Sequence, residues 1–172
     1  ALQELADSIT QHGVLQPLLV RPLVTGGYQL VAGERRWRAS RMAGLKEVPV
    51  VVKELSDVET MEIAIIENLQ REDLNPIEEA EGLQALIDRC GFTQEEVATS
   101  VGKSRPAIAN ALRLLKLPQE VRDMTKNGEI SAGHARALLS FDNEAMIYEV
   151  AQNIVKNNLT VRDVERLAKT SE

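Results

Sequence analysis

The stretch "VAGERRWRAS", Val31–Ser40, places three arginines and one glutamate directly behind an apolar run and a single glycine. The preceding "YQLVA" predicts a strand, and "ERRWRASRMAG" predicts a helix. The first amides of a helix lack intrahelical partners, so a strand, a glycine and a helix start can bind an anion. Gly33 allows a phosphate to approach the backbone, and Arg35 and Arg36 offer forked hydrogen bonds. The pattern predicts a phosphate-binding turn; the alternative interpretation is a solvated basic helix face.

Composition restricts the class of protein. The chain has 172 residues, a formal net charge of -6 and only 3% aromatic residues, which favours a core of aliphatic side chains. No apolar run reaches the length of a membrane span, and one cysteine, Cys90, excludes an internal disulfide. We expect a cytoplasmic protein, and the start at Ala1 without methionine suggests an excised fragment.

The negative net charge is unevenly distributed. Residues 57–96 contain twelve acids and two arginines, a local charge of -10, whereas residues 102–136 contain seven cations and three acids, a local charge of +4. A local basic surface can bind phosphates even in an acidic chain. The overall charge therefore does not argue against nucleic-acid binding.

Hydrophobic periodicity divides the chain into two parts. A helix over "LQELADSITQH" precedes three strands, in "VLQPLLVRPL", "YQLVAG" and "VPVVVKEL", and every periodic segment after Ser56 is helical. Pro76 is suited to the first turn of a new helix. The sequence predicts an α+β protein with an α/β domain over residues 1–70 and a helical domain over residues 71–172.

A second polar cluster lies in "IIENLQRED". Glu67 and Asn68 supply hard oxygen ligands at a predicted helix end, and magnesium on a nucleotide is commonly held by one or two such groups together with phosphate oxygens. Arg71 follows within reach of the same phosphates. The alternative interpretation is a polar helix end without a ligand.

Residues 93–115 predict a helix-turn-helix. Thr93 and Glu96 have the spacing of a capping box, Gly102 permits a tight turn, and Ser104 can cap a second helix with Pro106 in its first turn. The alternative is an ordinary helical hairpin. The periodicity directs Ile108, Leu112 and Leu115 to the core, and Pro106, Ala109, Asn110 and Arg113 to the outer face.

The outer face of this second helix suits the major groove of DNA. Arg105 stands at its start, where side chains reach base edges, and arginine on guanine is the commonest specific contact. Lys103, Ser104 and Arg113 are typical of phosphate contacts.

Three segments carry a resemblance to a known family. "GERRWRA", "ENLQREDLNPIEEA" and "GKSRPAIAN" closely resemble the ParB family of chromosome and plasmid partition proteins, and the similarity covers essentially the whole chain. It implies a small ParB/sulfiredoxin-like α/β domain, a helical domain with a helix-turn-helix, and a CTP-dependent DNA clamp that hydrolyses CTP slowly.

The resemblance also assigns residues. It implies that Gly33–Arg36 binds the triphosphate, with Glu34 linked to hydrolysis, and that Glu67 and Asn68 hold Mg²⁺ while Arg71 contacts phosphate. Ser8, Gly13 and Gln16 would line the base and sugar. In "ISAGHARALL", Gly133 would allow close approach to DNA, and His134 and Arg136 would reach phosphates or base edges. The DNA set implied is Lys103, Ser104, Arg105, Asn110, Arg113, Gly133, His134 and Arg136.

The partners implied by the resemblance are macromolecules. They are parS DNA, a second copy of the chain, a ParA-type ATPase and condensin. The resemblance implies a location at the nucleoid and no membrane partner. The second copy would engage through the N-terminal domain and through a C-terminal dimerisation domain following Glu172. The family's upstream Asn-Pro-x-x-Gln-Pro-Arg segment would precede Ala1.

The residues alone leave two other functions open. Sulfiredoxin has a catalytic cysteine in the same turn, but Glu34 occupies that position here and Cys90 lies in the helical half, which argues against a thiol reaction. The other is a ligand-sensing helix-turn-helix regulator, a plasmid repressor or a nucleoid-occlusion type, without significant turnover. The paired "GERR" and "ENLQR" motifs favour nucleotide binding and turnover, and Gly133 favours the ParB branch, since arginine tends to replace it in nucleoid-occlusion relatives.

Overall fold

The computed structural model describes residues 1–170 and forms two compact units, Ala1–Glu67 and Asn68–Glu172. The described residues contain ten α-helices and one three-stranded sheet, which confirms the predicted α+β class. None of the helices over these 170 residues combines the length and the apolar character needed to cross a bilayer.

The first unit is built around a small sheet. Its strands are β1 (Leu18–Pro22), β2 (Tyr28–Ala32) and β3 (Val50–Val52). They have the order β2-β1-β3, with β1 antiparallel to β2 and parallel to β3. The buried residues Ala6, Ile9 and Ala39 join the first two helices in a small core. Its elements are α1 (Leu2–His12), β1 (Leu18–Pro22), β2 (Tyr28–Ala32), α2 (Glu34–Met42), β3 (Val50–Val52) and most of α3 (Asp57–Leu69).

Two of the predicted strands are shorter than the apolar runs in the sequence. β3 covers only Val50–Val52 because it pairs with three residues of β1, from Leu18 to Val20. β1 begins at Leu18 and not at Val14, since the carbonyls of the two preceding residues accept side-chain hydrogen bonds from α2. Pairing partners, and not apolar content, set these strand ends.

The second unit is entirely helical in its described part. Its core gathers Ile77 and buried side chains from the chain after residue 113, including Leu117, Val121, Leu138, Ala151 and Val164. Its helices are α4 (Pro76–Cys90), α5 (Gln94–Val101), α6 (Arg105–Arg113), α7 (Gln119–Lys126), α8 (Ala132–Leu138), α9 (Glu144–Asn157) and α10 (Val161–Thr170), with a 3₁₀ turn at Leu114–Lys116.

Side-chain caps fix the helix starts of the helix-turn-helix. The predicted capping box is confirmed, because the Thr93 hydroxyl accepts from the Glu96 amide while the Glu96 carboxylate accepts from the Thr93 amide. The Ser104 hydroxyl accepts from the Ala107 amide and starts α6. Between the two helices, Gly102 has a φ of 71°, a left-handed conformation that glycine adopts at little cost.

The predicted core face of α6 is fully buried only at Ile108. Ile108 is fully buried, but Leu112 and Leu115 are only half-buried. The α-helix ends at Arg113 and continues as a 3₁₀ turn, which changes the rotation per residue. The fully buried leucines that follow are Leu114 and Leu117.

Candidate functional site

The GERR turn (Gly33–Arg36) begins α2 directly after β2. Gly33 precedes the helix with a φ of 100°, and no side chain caps this end, so the first amides of α2 are left to other acceptors. A Cβ atom on Gly33 would lie 2.8 Å from Leu18 Cδ2 and 3.1 Å from Arg36 Nη2. The position therefore requires glycine both for its backbone conformation and for the close approach of these side chains.

Arg36 is engaged within the first unit. Its Nη1 donates to the carbonyl oxygens of Gln16 at 3.0 Å and Pro17 at 2.9 Å. These bonds bring Gln16, a predicted nucleotide contact, next to the GERR turn. Gly13 ends α1 with a φ of 74°, and Ser8 lies on the exposed side of the same helix.

The other charged residues of the turn are solvent-exposed. Glu34 Oε1 accepts from Arg38 Nη2 at 2.8 Å across one helical turn, and both side chains are 61% exposed. Arg35 is exposed, and the Arg41 guanidinium stacks 5.1 Å from the centre of the Trp37 ring. Trp37 is thus a partner for a cation on the surface of α2 and is not buried in the core.

Asn68 and Arg71 lie together at the end of α3. Arg71 Nη1 donates to Asn68 Oδ1 at 3.2 Å, and its Nε and Nη2 donate to the two carboxylate oxygens of Asp73 at 3.1 and 3.0 Å. The Arg71 hydrogen bond lowers the pKa of Asp73 below its usual value and raises the pKa of Arg71. Glu67 is exposed one residue before Asn68.

Carboxylate and amide oxygens of this kind fit magnesium, which prefers oxygen ligands and keeps phosphate and water in its shell. Among residues 1–170, no group of three or more His, Cys, Asp or Glu side chains is placed to hold a metal by itself. A metal held by Glu67 and Asn68 would therefore need further oxygen ligands, from a bound phosphate or from water.

The start of α6 presents polar residues to solvent. Arg105, Asn110 and Arg113 are exposed along one helix of nine residues, behind the Ser104 cap. Lys103, in the turn before the helix, forms an ion pair with Glu79 of α4. Sequence analysis missed Glu79, since it is one of many acids in its segment and is 24 residues from Lys103 along the chain.

A cleft of about 310 Å³ connects α4, α6 and α8 within the second unit. Asn110 of α6 and Arg136 of α8 both line this cleft, so two of the predicted DNA contacts from separate motifs lie on one concave surface. We call it the α4–α6–α8 cleft. Glu79 is its acidic lining residue.

Gly133 and His134 are partly exposed and also contact other parts of the second unit. A Cβ atom on Gly133 would lie 3.0 Å from Val161 Cγ2, so close packing against α10 accounts for the glycine. His134 Nε2 donates to the Leu159 carbonyl at 2.8 Å, and its Nδ1 accepts from the Ser131 amide at 3.1 Å. Both ring nitrogens are thus occupied in capping α8 and holding the turn before α10.

These features define the first unit as an α/β unit in which an arginine-rich helix begins without a side-chain cap. They define the second unit as a helix-turn-helix unit with exposed cations on its second helix. Residues 1–69 match the ParB N-terminal domain and residues 72–172 match the ParB HTH domain. The chain belongs to the ParB family.

Two curated relatives illustrate the similarity. The chromosome-partitioning protein Spo0J of Thermus thermophilus is 58% identical over 167 residues, which are 97% of this chain and 61% of the relative. The chromosome-partitioning protein ParB of Myxococcus xanthus is 52% identical over 170 residues, which are 99% of this chain and 57% of the relative. The chain thus spans about three fifths of the length of these relatives.

A solved structure also matches both parts of the chain. It is the C-terminally truncated ParB of Caulobacter crescentus complexed to the centromeric parS site, with a TM-score of 0.84 and 47% sequence identity. The match covers 98% of this chain and 87% of that chain.

Proposed function

We propose that this chain is the core of a CTP-dependent partition protein that binds parS DNA. The observation that carries the proposal is the Ser104-capped helix α6, whose exposed face holds Arg105, Asn110 and Arg113. The Caulobacter relative that is 47% identical over nearly the same length was solved on parS DNA, which supports the same ligand here.

On DNA, α6 lies in the major groove with its N-terminal end at the base edges. Arg105 reads a guanine through a forked pair of hydrogen bonds, and Ser104 and Arg113 contact phosphates. Asn110 and Arg136, which share the α4–α6–α8 cleft, contact the same stretch of duplex from two helices. Gly133 allows close approach to DNA and His134 reaches phosphates or base edges, from a helix start that their contacts with Val161 and Leu159 hold in place.

The α/β unit binds the nucleotide at the GERR turn. The uncapped amides of α2 and the guanidinium groups of Arg35 and Arg36 complement phosphate charge. Glu67 and Asn68 would hold Mg²⁺, which would supply charge neutralisation at the phosphates, and Arg71 would add a further phosphate contact. Ser8, Gly13 and Gln16 line the base and sugar; the hydrogen bonds from Arg36 to the loop at Gln16 support that part of the assignment.

Glu34 is the residue we assign to slow CTP hydrolysis. A carboxylate beside bound phosphates can orient the attacking water. The Glu34–Arg38 ion pair favours a second candidate, a helix-turn-helix regulator that binds nucleotide without significant turnover. In that case Glu34 holds the side chain of Arg38 in place on α2 and takes no part in CTP hydrolysis.

The domain boundaries and partners complete the proposal. Residues 1–70 act as the nucleotide domain and residues 71–172 as the parS domain, within a homodimeric clamp on nucleoid DNA. A ParA-type ATPase and condensin are the protein partners of the whole protein.

The test of the proposal is a pair of binding titrations. Fluorescence anisotropy with a parS duplex and a scrambled duplex of equal length measures sequence preference, and calorimetry with CTP, UTP, ATP and GTP in Mg²⁺ measures nucleotide preference. We expect preference for parS and for CTP, with phosphate release stimulated by parS. Equal affinity for both duplexes would contradict the DNA assignment, and equal affinity for all four nucleotides would contradict the CTP assignment.

A further inference from the structure

Lys103 carries its positive charge at the turn before α6, and this charge is already paired with an acid in the protein. Its ammonium group forms an ion pair with the Glu79 carboxylate, and the two side chains are 47% and 27% exposed. A lysine free to bind phosphate would extend into solvent as a flexible cation. Here its position is fixed by an acid from another helix, α4.

The acid lies on the surface that we assign to DNA. Glu79 lines the α4–α6–α8 cleft together with Asn110 and Arg136. A carboxylate on such a surface repels the phosphate backbone, and that repulsion does not depend on base sequence. A contribution to DNA affinity therefore does not explain why Glu79 lies among the residues that we assign to DNA contact.

A second ion pair from the same helix provides a comparison. Glu81 Oε1 lies 2.7 Å from Lys126 Nζ, and their side chains are 50% and 35% exposed. Residues two apart on a helix point in different directions, and Glu81 is not among the residues that line the cleft. The two pairs thus have the same chemistry on the same helix, but only the Glu79 pair is at the proposed DNA surface.

We propose that Glu79 keeps the sequence-independent DNA affinity of this chain low by holding Lys103 away from the phosphate backbone. Because the ion pair persists on DNA, Lys103 contributes no phosphate contact. Binding to any duplex is therefore weaker than it would be without the acid, which lets the chain leave DNA that lacks its site.

This inference rests on the proposed function, since it deepens the account of the same DNA surface. A purely structural alternative exists, in which the pair only holds the turn before α6 against α4. The alternative predicts a loss of thermal stability on removal of Glu79 and no gain in DNA affinity. The two accounts therefore differ in the sign of one measurable effect.

The experiment compares Glu79→Gln with Glu81→Gln, which removes the same charge from the same helix. Anisotropy titrations with parS and scrambled duplexes run from 50 to 200 mM salt. One additional phosphate contact steepens the slope of log K against log salt by about 0.9 and tightens binding about fivefold at 0.15 M salt. The fourfold rise in salt then weakens Glu79→Gln about 3.5-fold more than the native chain.

For Glu79→Gln we expect the tighter binding and the steeper salt slope with both duplexes. For Glu81→Gln we expect neither change with either duplex. The double variant Glu79→Gln/Lys103→Ala identifies the lysine as the cause, because the steeper salt slope must disappear when Lys103 is absent. Thermal unfolding of each variant runs in parallel. If Glu79→Gln is unfolded at the assay temperature, Glu79→Met, of similar length and without charge, replaces it.

Several outcomes would overturn the inference. They are unchanged or weaker DNA binding by a folded Glu79→Gln, an equal gain with Glu81→Gln, a steeper slope that persists without Lys103, and unfolding of both Glu79 variants, which would make the pair a structural requirement. Failure of the proposed function is a different result: the native chain itself would then show no preference for parS.

Discussion

Replacement of Arg36 by alanine should affect both the stability of the first unit and its affinity for nucleotide. The side chain donates from Nη1 to the carbonyls of Gln16 and Pro17, at 3.0 and 2.9 Å, and also packs against Gly33. Arg36→Ala therefore removes the hydrogen bonds that link the loop before β1 to the start of α2. It also removes one of the charges that we assign to the phosphates.

The loss of stability and the loss of CTP affinity can be estimated separately. A hydrogen bond from a charged donor contributes about 1.5–3 kcal/mol, and water can replace part of this because Arg36 is only half-buried. A loss of about 1–2 kcal/mol lowers the melting temperature of a unit of this size by roughly 4–16 °C. The lost phosphate contact costs about 1.5–3 kcal/mol of binding free energy, or roughly 10- to 140-fold in CTP affinity.

The assay combines three measurements on one preparation. Thermal unfolding without nucleotide reports the stability, hydrogen exchange at Gln16–Leu18 reports the loop, and calorimetry reports CTP affinity. Arg35→Ala is the matched control, since Arg35 is exposed on the same turn. It should weaken CTP binding without lowering the melting temperature or speeding exchange in the loop.

Two results would refute the reasoning about Arg36. Native exchange rates at Gln16–Leu18 in Arg36→Ala would mean that its hydrogen bonds to the loop carbonyls contribute nothing in solution. Native CTP affinity in the same variant would remove Arg36 from the nucleotide site.

Three further predictions address the other assigned residues. Arg105→Ala should lose about 1–3 kcal/mol of preference for parS over scrambled DNA in anisotropy titrations, and full discrimination would mean that a different residue reads the bases. Glu34→Gln should bind CTP normally and release phosphate far more slowly; a loss of CTP affinity would instead assign Glu34 to the support of Arg38. Gly133→Val should destabilise the second unit by about 1–3 kcal/mol through overpacking against Val161, with partial recovery in Gly133→Val/Val161→Ala, measured by thermal unfolding. A native melting temperature with lost parS binding would assign Gly133 to DNA approach.

The local features of this fold could be predicted from the sequence because they depend on residues a few positions apart. The capping box of Thr93 and Glu96, the Ser104 cap and the strand–glycine–helix order at Gly33 all follow from hydrogen bonds within one helical turn or from the backbone freedom of one residue. The same signals predicted the α+β class and the helix-turn-helix. Beyond Ile108, Leu112 and Leu115 are only partly buried, and Leu114 and Leu117 are buried after the change to a 3₁₀ turn, which helical periodicity does not anticipate.

The partners of the charged side chains were decided only by the tertiary structure. Arg36 bonds to carbonyls 20 and 19 residues away, Lys103 pairs with an acid 24 residues away, and the His134 ring bonds to a carbonyl 25 residues away. Sequence shows which charges exist, and it identified the segments that carry them. It cannot show which charge is neutralised by which, since that depends on how strands and helices that are distant in the chain pack against each other. For Lys103, only the tertiary structure shows that the side chain is held by Glu79 and is not free to bind DNA.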